Sequence, residues 1–335
     1  MQPQPPKIAI ALLSGGLDST LAAKIIKDQG VEVIGLHLLS PFGCQEDVKK
    51  NAAQIGIPLL VKEKGAAFLD LVENPRYGYG KNMNPCIDCR IFMFQLADVV
   101  RQEEKADFIV TGEVIGQRPM SQHRHAMQLI DSKSPLEGLI VRPLSAHSFP
   151  PSEPEREGWV NRDELFKISG RGRKKQLELA KKFGIKDFNS PSGGCLLTES
   201  AFSHRLKDFF KHQNFSSSEE RLAQAQLLRL GRHFRKSEGL KIIVGRNKPE
   251  NDELKKWWKP ACGAFFSPAN FEGPAAVTLG ELSQQAKDIV GSLIARYGKS
   301  DHLSEMKINI ETMQTQATFS VFERMAEQTL EAMRL

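Results

Sequence analysis

Two sets of residues in this chain have types and spacings suited to chemistry. The first is Ser14-Gly15-Gly16-Leu17-Asp18-Ser19, between an apolar run (Ile8 to Leu13) and a helix-like run (Thr20 to Lys27). A strand, a glycine turn and a helix start form an anion-binding arrangement. The glycines let backbone N–H groups approach closely, and the helix N-terminus adds partial positive charge. No lysine follows in the Gly-x-x-x-x-Gly-Lys-Ser/Thr order, so this is not that nucleotide loop. The plainer alternative is a strand-to-helix turn capped by Asp18 or Ser19. The second set is the pair Cys86 and Cys89 in Asn84-Pro-Cys-Ile-Asp-Cys-Arg90, with Cys195 far downstream in Ser192-Gly-Gly-Cys-Leu-Leu197. A Cys-x-x-Cys pair binds a metal, attaches a cluster or does redox chemistry. Zinc wants four ligands. His123 and His125 are candidates to complete such a site, but nothing in the sequence selects them. Three thiolates can hold a [4Fe–4S] cluster and leave one iron open. The alternative is that the cysteines are small buried residues, which proline- and glycine-bearing surroundings, read as exposed loops, argue against.

These residues need a scaffold, and the first half of the chain reads as alternating strands and helices. After the glycine turn and its helix, Val31–Leu38 is a second strand and Pro58–Val61 a third, with a helix over Gln45–Ile55. Ile91–Glu104 is an amphipathic helix, Asp107–Gly112 a buried strand and Gly138–Pro143 another. Such alternation predicts a doubly wound parallel sheet of the α/β class. Its ligands sit at the carboxyl ends of the strands, where Ser14, His37 and Gly112 fall.

The chain has 335 residues, which fits two domains, and 40% apolar residues, enough for full cores. The net charge of +6 is compatible with a polyanionic partner without deciding for one. No apolar run reaches membrane-spanning length and the first residues lack a signal peptide's pattern, so a cytoplasmic protein without membrane association is expected. Five cysteines in such a chain suggest thiol or metal chemistry rather than a disulfide framework.

The loop at 14–19 resembles the pyrophosphate loop (PP-loop) of the ATP pyrophosphatases, enzymes that split ATP between its α and β phosphates to adenylate a substrate. That loop, Asn84–Arg90, Thr111-Gly112-Glu113 and Gly193–Leu197 follow the order seen in tRNA thiouridine synthases. The match spans residues 7 to about 200 and is similar to 2-thiouridylases and to iron–sulfur-dependent 4-thiouridine synthases. In the 2-thiouridylase pattern, two loops each supply an essential cysteine, and these positions fall on Cys89 and Cys195. Cys86 stands where cluster-free members carry Asp, so the resemblance implies Cys86, Cys89 and Cys195 as cluster ligands and departs from a simple two-cysteine persulfide relay. It further implies the adenine nucleotide α-hydrolase-like fold, ATP bound through Ser14, Gly15, Gly16, Asp18, Ser19, His37 and Gly112, and Asp18 holding Mg²⁺ or a water network unless it only caps the helix. Catalysis would rest on Asp18, Cys89 and Cys195. Uridine oxygen would be adenylated and then replaced by sulfur, with tRNA as substrate. Sulfide on the open iron of a cluster is the preferred donor and a persulfide on Cys195 the second choice, with a cysteine desulfurase as a candidate partner and a homodimer left open. The rivals are an ammonia-using adenylating synthetase and a noncatalytic RNA-binding protein.

The tail is read separately. Residues 201–229 look like a helical, charged connector between the domain at 1–200 and a smaller α+β domain at 230–335. Gly231 to Asn251, with Val244-Gly-Arg-Asn247 and Glu250-Asn251, resembles the RNA-binding domain of NFACT proteins. Arg232, Arg235, Lys241 and Arg246 are expected to form a basic face that meets phosphates. Trp257, Trp258 and Phe265 fit a small core better than a base-stacking platform. A further basic run, Arg171-Gly-Arg-Lys-Lys175, opens a helix and is either a solvated face or a guide for RNA.

Overall fold

The computed structural model describes residues 6–42, 48–188, 195–212, 215–280 and 282–335. Two units divide the chain: Met1–Ser40 with Cys44–Cys195, and Pro41–Gly43 with Leu196–Leu335. The first unit runs β1 (Ile8–Leu12), α1 (Leu17–Lys27), β2 (Glu32–Leu39), α2 (Val48–Gln54), β3 (Leu59–Glu63), α3 (Gly65–Glu73), α4 (Cys86–Glu103), β4 (Phe108–Thr111), α5 (Arg124–Lys133), β5 (Ile140–Val141), α6 (Glu153–Arg156) and α7 (Lys174–Lys182).

Its five strands pair in the order β3-β2-β1-β4-β5, and every pairing is parallel. Successive side chains of a strand point to opposite faces. Ala9 and Ala11 of β1 accordingly join one core with Leu21 and Ile25 of α1 and Leu179 and Ala180 of α7. Ile10 and Leu12 join the other with Phe94 and Ala97 of α4 and Ile130 of α5. Helices therefore cover both faces, as the sequence predicts for a doubly wound sheet. The strand order reverses between β1 and β4, and ligands of such sheets bind outside the carboxyl ends at that point. Among the described residues, no helix is long and apolar enough to cross a membrane.

The second unit runs α8 (Ser200–Lys211), α9 (Ser218–Leu227), β6 (Arg232–Ser237), β7 (Leu240–Val244), α10 (Lys248–Trp257), β8 (Ala264–Pro268), β9 (Ala276–Gly280), α11 (Gln284–Tyr297), β10 (Met306–Glu311), β11 (Gln316–Val321) and α12 (Glu327–Met333). Its sheet is antiparallel, in the order β11-β10-β8-β9-β7-β6. Val290, Leu293 and Ile294 of α11 pack on one face, and Leu254, Trp258 and Leu227 on the other. Trp258 is 1% exposed and Phe265 9%, so both are core residues, as the sequence favours.

The basic face expected of Arg232, Arg235, Lys241 and Arg246 does not form as such. Arg235 and Lys241 both bind the carboxylate of Asp208, at 2.7 and 2.8 Å, and Lys241 is buried. Arg246 is held by Glu250 one turn away. Arg232 lies over the Tyr297 ring, 4.5 Å from its centre. The Val-Gly-Arg-Asn and Glu-Asn pattern has a local structural role. The Asn247 side chain accepts from the Glu250 N–H and caps α10, while Glu250 accepts in return from the Arg246 N–H. Asn251 occupies the space beside Gly245, where an added β-carbon would stand 2.0 Å from its Oδ1.

Candidate active site

The turn after β1 is built around Gly15, whose φ of +81° suits glycine and carries the chain from strand to helix. The loop's carbonyls are held from behind. Asn51 of α2 donates to the Gly15 carbonyl at 2.9 Å and to Thr20 Oγ1 at 3.1 Å. Ser19 and Thr20 hydroxyls donate to the Gly16 carbonyl at 2.9 and 3.1 Å. Ser19 Oγ also accepts from the Ser14 N–H at 3.2 Å and stands 3.2 Å from the exposed Ser14 hydroxyl. With the carbonyls tied down, the N–H groups of the first helical turn, which have no intrahelical acceptor, are left for a ligand.

The capping alternative fails here. Gly16 is the N-cap of α1, and no side chain caps that end. Asp18 turns elsewhere: its Oδ2 accepts from Gln117 Nε2 at 2.8 Å, while its buried Oδ1 has no partner. A carboxylate oxygen withheld from water and left without a donor suits a cation or a donor delivered with the ligand. His37, two residues from the end of β2, donates from Nδ1 to the Leu13 carbonyl at 2.9 Å, which fixes its ring beside the same turn.

Gly112 follows β4 directly and closes the other side. A β-carbon there would stand 2.5 Å from Asp18 C and from Ser19 N, so only glycine lets these backbones touch. The next residue, Glu113, is 1% exposed and joins two cations: Arg142 at 3.0 Å and Arg90 at 2.9 Å. Burial pushes its carboxyl up, but Arg90 and Arg142 outweigh that and hold it below the ordinary range. Arg142 also binds Asp131 through both oxygens, at 3.0 and 2.6 Å.

Arg90 belongs to the cysteine segment, so this network ties the thiols to the glycine turn. Here the sequence expectation needs correction: Cys86 and Cys89 do not lie in an exposed loop. They form the first turn of α4, and both are half-buried. Asp88 between them explains why. Its two oxygens accept from the Arg76 and Tyr77 N–H groups, each at 3.0 Å, which staples the preceding segment to the helix start. Lys64 Nζ lies 3.7 Å from Cys89 Sγ, and Asn84 Nδ2 3.3 Å from Cys86 Sγ. Cys195 is exposed at the end of the first unit, and Gly193 and Gly194 before it lie outside the described residues. Among the described residues, no group of three or more His, Cys, Asp or Glu side chains is gathered to hold a metal ion. The three thiols are thus not assembled as one ligand set. His123 serves the fold instead, since its Nδ1 accepts from the Ala126 N–H at 3.3 Å and caps α5. Cys262 lies in the second unit, and Cys44 lies outside the described residues.

Sequence reasoning missed Asn51, Gln117, Asp131 and Arg142. Arg90 and Glu113 stood inside motifs without a role of their own. Nothing local marks Gln117, whose partner Asp18 is 99 residues away.

Fold and site together define an α/β domain with an uncapped, anion-ready glycine turn at its switch point, followed by a separate antiparallel domain. Comparison with known proteins narrows this. Residues 7–148 match the family model described as thiamine biosynthesis protein (ThiI), and residues 231–334 match that of the NFACT protein RNA binding domain. The two matches fall one in each unit of the fold. It is similar to the tRNA-specific 2-thiouridylase MnmA of Bartonella quintana, at 31% identity over 149 residues, 39% of this chain and 36% of that protein. It is also similar to a protein named "Probable tRNA sulfurtransferase" from Methanothermobacter thermautotrophicus, at 33% identity over 115 residues, 32% and 29% of the two chains. The match thus spans about a third of these relatives' length. Among solved structures, a 4-thiouridine synthetase–RNA complex with bound ATP aligns at 21% identity and a TM-score of 0.39, covering 67% of this chain and 52% of that one.

Proposed function

We propose that this chain is an ATP-dependent tRNA sulfurtransferase that converts a uridine carbonyl to a thiocarbonyl. The observation that carries the proposal is the physical link between an open phosphate turn and a thiol turn: Asp18 and Ser19 touch Gly112, and Glu113 binds Arg90, the neighbour of Cys89.

Uridine oxygen is a poor leaving group, so it must first be activated. In the proposed reaction it attacks the α phosphate of ATP, and pyrophosphate departs. The first N–H groups of α1 and the Ser14 hydroxyl receive the phosphate oxygens, where the helix end favours negative charge. Mg²⁺ commonly binds through one or two carboxylates plus substrate phosphates, and Asp18 Oδ1 fits one such ligand. Sulfide then attacks the activated carbon. A C–S bond forms, the C–O bond breaks and AMP leaves, with no oxidant or reductant required.

For the finer assignment of Cys86, Cys89 and Cys195 to a [4Fe–4S] cluster, the described residues offer no gathered set of three such ligands. No step is routed through such a group. Cys89 is the candidate thiol for handling sulfur, because its neighbour Arg90 binds Glu113 beside the glycine turn and Lys64 Nζ lies 3.7 Å from its Sγ. We assign the second unit to tRNA affinity and the first to chemistry, and place the protein in the cytoplasm. The test is pyrophosphate release together with thiouridine formation from ATP, sulfide and unmodified tRNA. Adenylation with ammonia instead of sulfide incorporation would favour a synthetase; RNA binding with neither product would favour a noncatalytic protein.

A further inference from the structure

The run Arg171-Gly172-Arg173-Lys174-Lys175 has no part in the site so far. The structure brings its start beside the Asp18 turn. Ser169 bridges Ile115, and the Gly170 N–H donates to the Ile115 carbonyl at 2.7 Å. Gly116 and Gly170 pass so closely that a β-carbon on Gly116 would stand 3.3 Å from Gly170 N. The next residue, Gln117, binds Asp18. Buried Ser145 fixes the pair, accepting from the Ile115 N–H at 3.1 Å and donating to the Ile168 carbonyl at 2.7 Å.

Three features set this turn apart from the chain's other basic segment. Among the described residues, the side chains of Arg171, Arg173, Lys174 and Lys175 have no ion pair or hydrogen bond, whereas those of Arg235, Lys241 and Arg246 are paired to carboxylates. Helix α7, which begins at Lys174, has no side-chain cap. In its first turn, Gln176 is 0% exposed and neither amide atom has a partner; the buried Nε of Arg173 has none either. Buried donors and acceptors without partners are costly, and are expected where a ligand completes them. Unopposed guanidinium and ammonium groups at an uncapped helix start match phosphate oxygens.

We propose that the Gly170–Gln176 turn is a phosphate-binding site on the rim of the Asp18 turn. This rests on the reading of the first unit as an ATP- and tRNA-using domain. Two sources of phosphate share the chemistry: the tRNA backbone and the polyphosphate of ATP. The test uses the full-length chain carrying Arg171→Ala, Lys174→Ala and Lys175→Ala together, all exposed positions, with Arg173→Ala as a second variant. Unmodified tRNA binding is measured across a salt series, and ATP binding by equilibrium titration. A backbone site flattens the slope of log K against log salt by about 0.7–0.9 for each lost contact, about 2.1–2.7 for the triple variant, with ATP affinity within twofold of wild type. A nucleotide site leaves the slope intact and weakens ATP at least tenfold. Wild-type values for both ligands in both variants overturn the proposal. A wild-type chain that binds tRNA and ATP but makes no thiouridine sinks the proposed reaction and leaves this site standing. One that binds neither ligand overturns both.

Discussion

Replacing Gly112 with Ala tests whether the contact between the end of β4 and the glycine turn is needed. The backbone at Gly112 does not require glycine, since its φ lies outside the left-handed region, so the effect is steric alone. The new β-carbon would stand 2.5 Å from Asp18 C and Ser19 N and 2.6 Å from Asp18 O. All three are backbone atoms of the first turn of α1, so no side chain can swing away. Reaching an ordinary carbon contact of about 3.5 Å needs roughly 1 Å of retreat by β4 or by α1. Overpacking of this kind costs about 1–3 kcal/mol of stability. If the turn holds phosphate as proposed, a misplacement of that size lowers turnover on the order of 100-fold. Urea unfolding gives the first quantity, and the rate of ATP-dependent pyrophosphate release gives the second. Gly239→Ala is the control, because nothing lies within 4 Å of its added β-carbon. A Gly112→Ala protein with wild-type turnover and stability would refute the reasoning that this contact positions the turn.

Other expectations are independent of that one. Arg142→Met removes the cation shared by Glu113 and Asp131, leaves buried Glu113 with Arg90 alone and Asp131 without its partner, and is expected to cost about 3 kcal/mol, the low end for breaking a buried pair, in urea unfolding. Gln176→Met removes an amide that makes no hydrogen bond and is expected to raise the thermal midpoint of the ligand-free protein, by about 1–3 kcal/mol of relieved desolvation; a lowered midpoint would show that the amide serves the fold. In the second unit, burial pushes Asp208 up, but hydrogen bonds from Arg235 and the charge of Lys241 outweigh it and hold the carboxyl at about 2, below its ordinary 3.8. A depressed carboxyl stabilises the fold above its unfolded value, and this contribution is lost as pH falls through the folded one. Stability of the second unit should therefore drop between about pH 4 and 2, and Asp208→Asn should remove that dependence, as acid titration followed by circular dichroism would show.

The sheet and the glycine turn were legible because their signals are local. A glycine turn between an apolar run and a helical pattern fixes β1, α1 and the place of Ser14, and alternation of runs fixes the parallel sheet. The thiol segment was half legible. Its residues stood out, but Pro85 suggested a loop where it starts a helix, because the staple from Asp88 to Arg76 and Tyr77 reaches back 12 and 11 residues. Arg142 and Glu113 are 29 residues apart, and nothing in the local pattern pairs them. In the second unit, basic residues were counted without their partners. Asp208, on a helix read as a connector, pairs with both Arg235 and Lys241 from 27 and 33 residues away.

The central claim is that the Asp18 turn activates uridine in tRNA for sulfur insertion. Its most direct test incubates the full-length protein with ATP, Mg²⁺, sulfide and unmodified tRNA without air, and analyses the digested nucleosides by mass spectrometry. The account predicts a thiouridine that requires ATP, appears with an equal amount of pyrophosphate, and is abolished by Asp18→Ala in a protein that still folds. Thiouridine formed at the wild-type rate by Asp18→Ala, or no thiouridine from the wild-type protein while ATP and tRNA both bind, would contradict it.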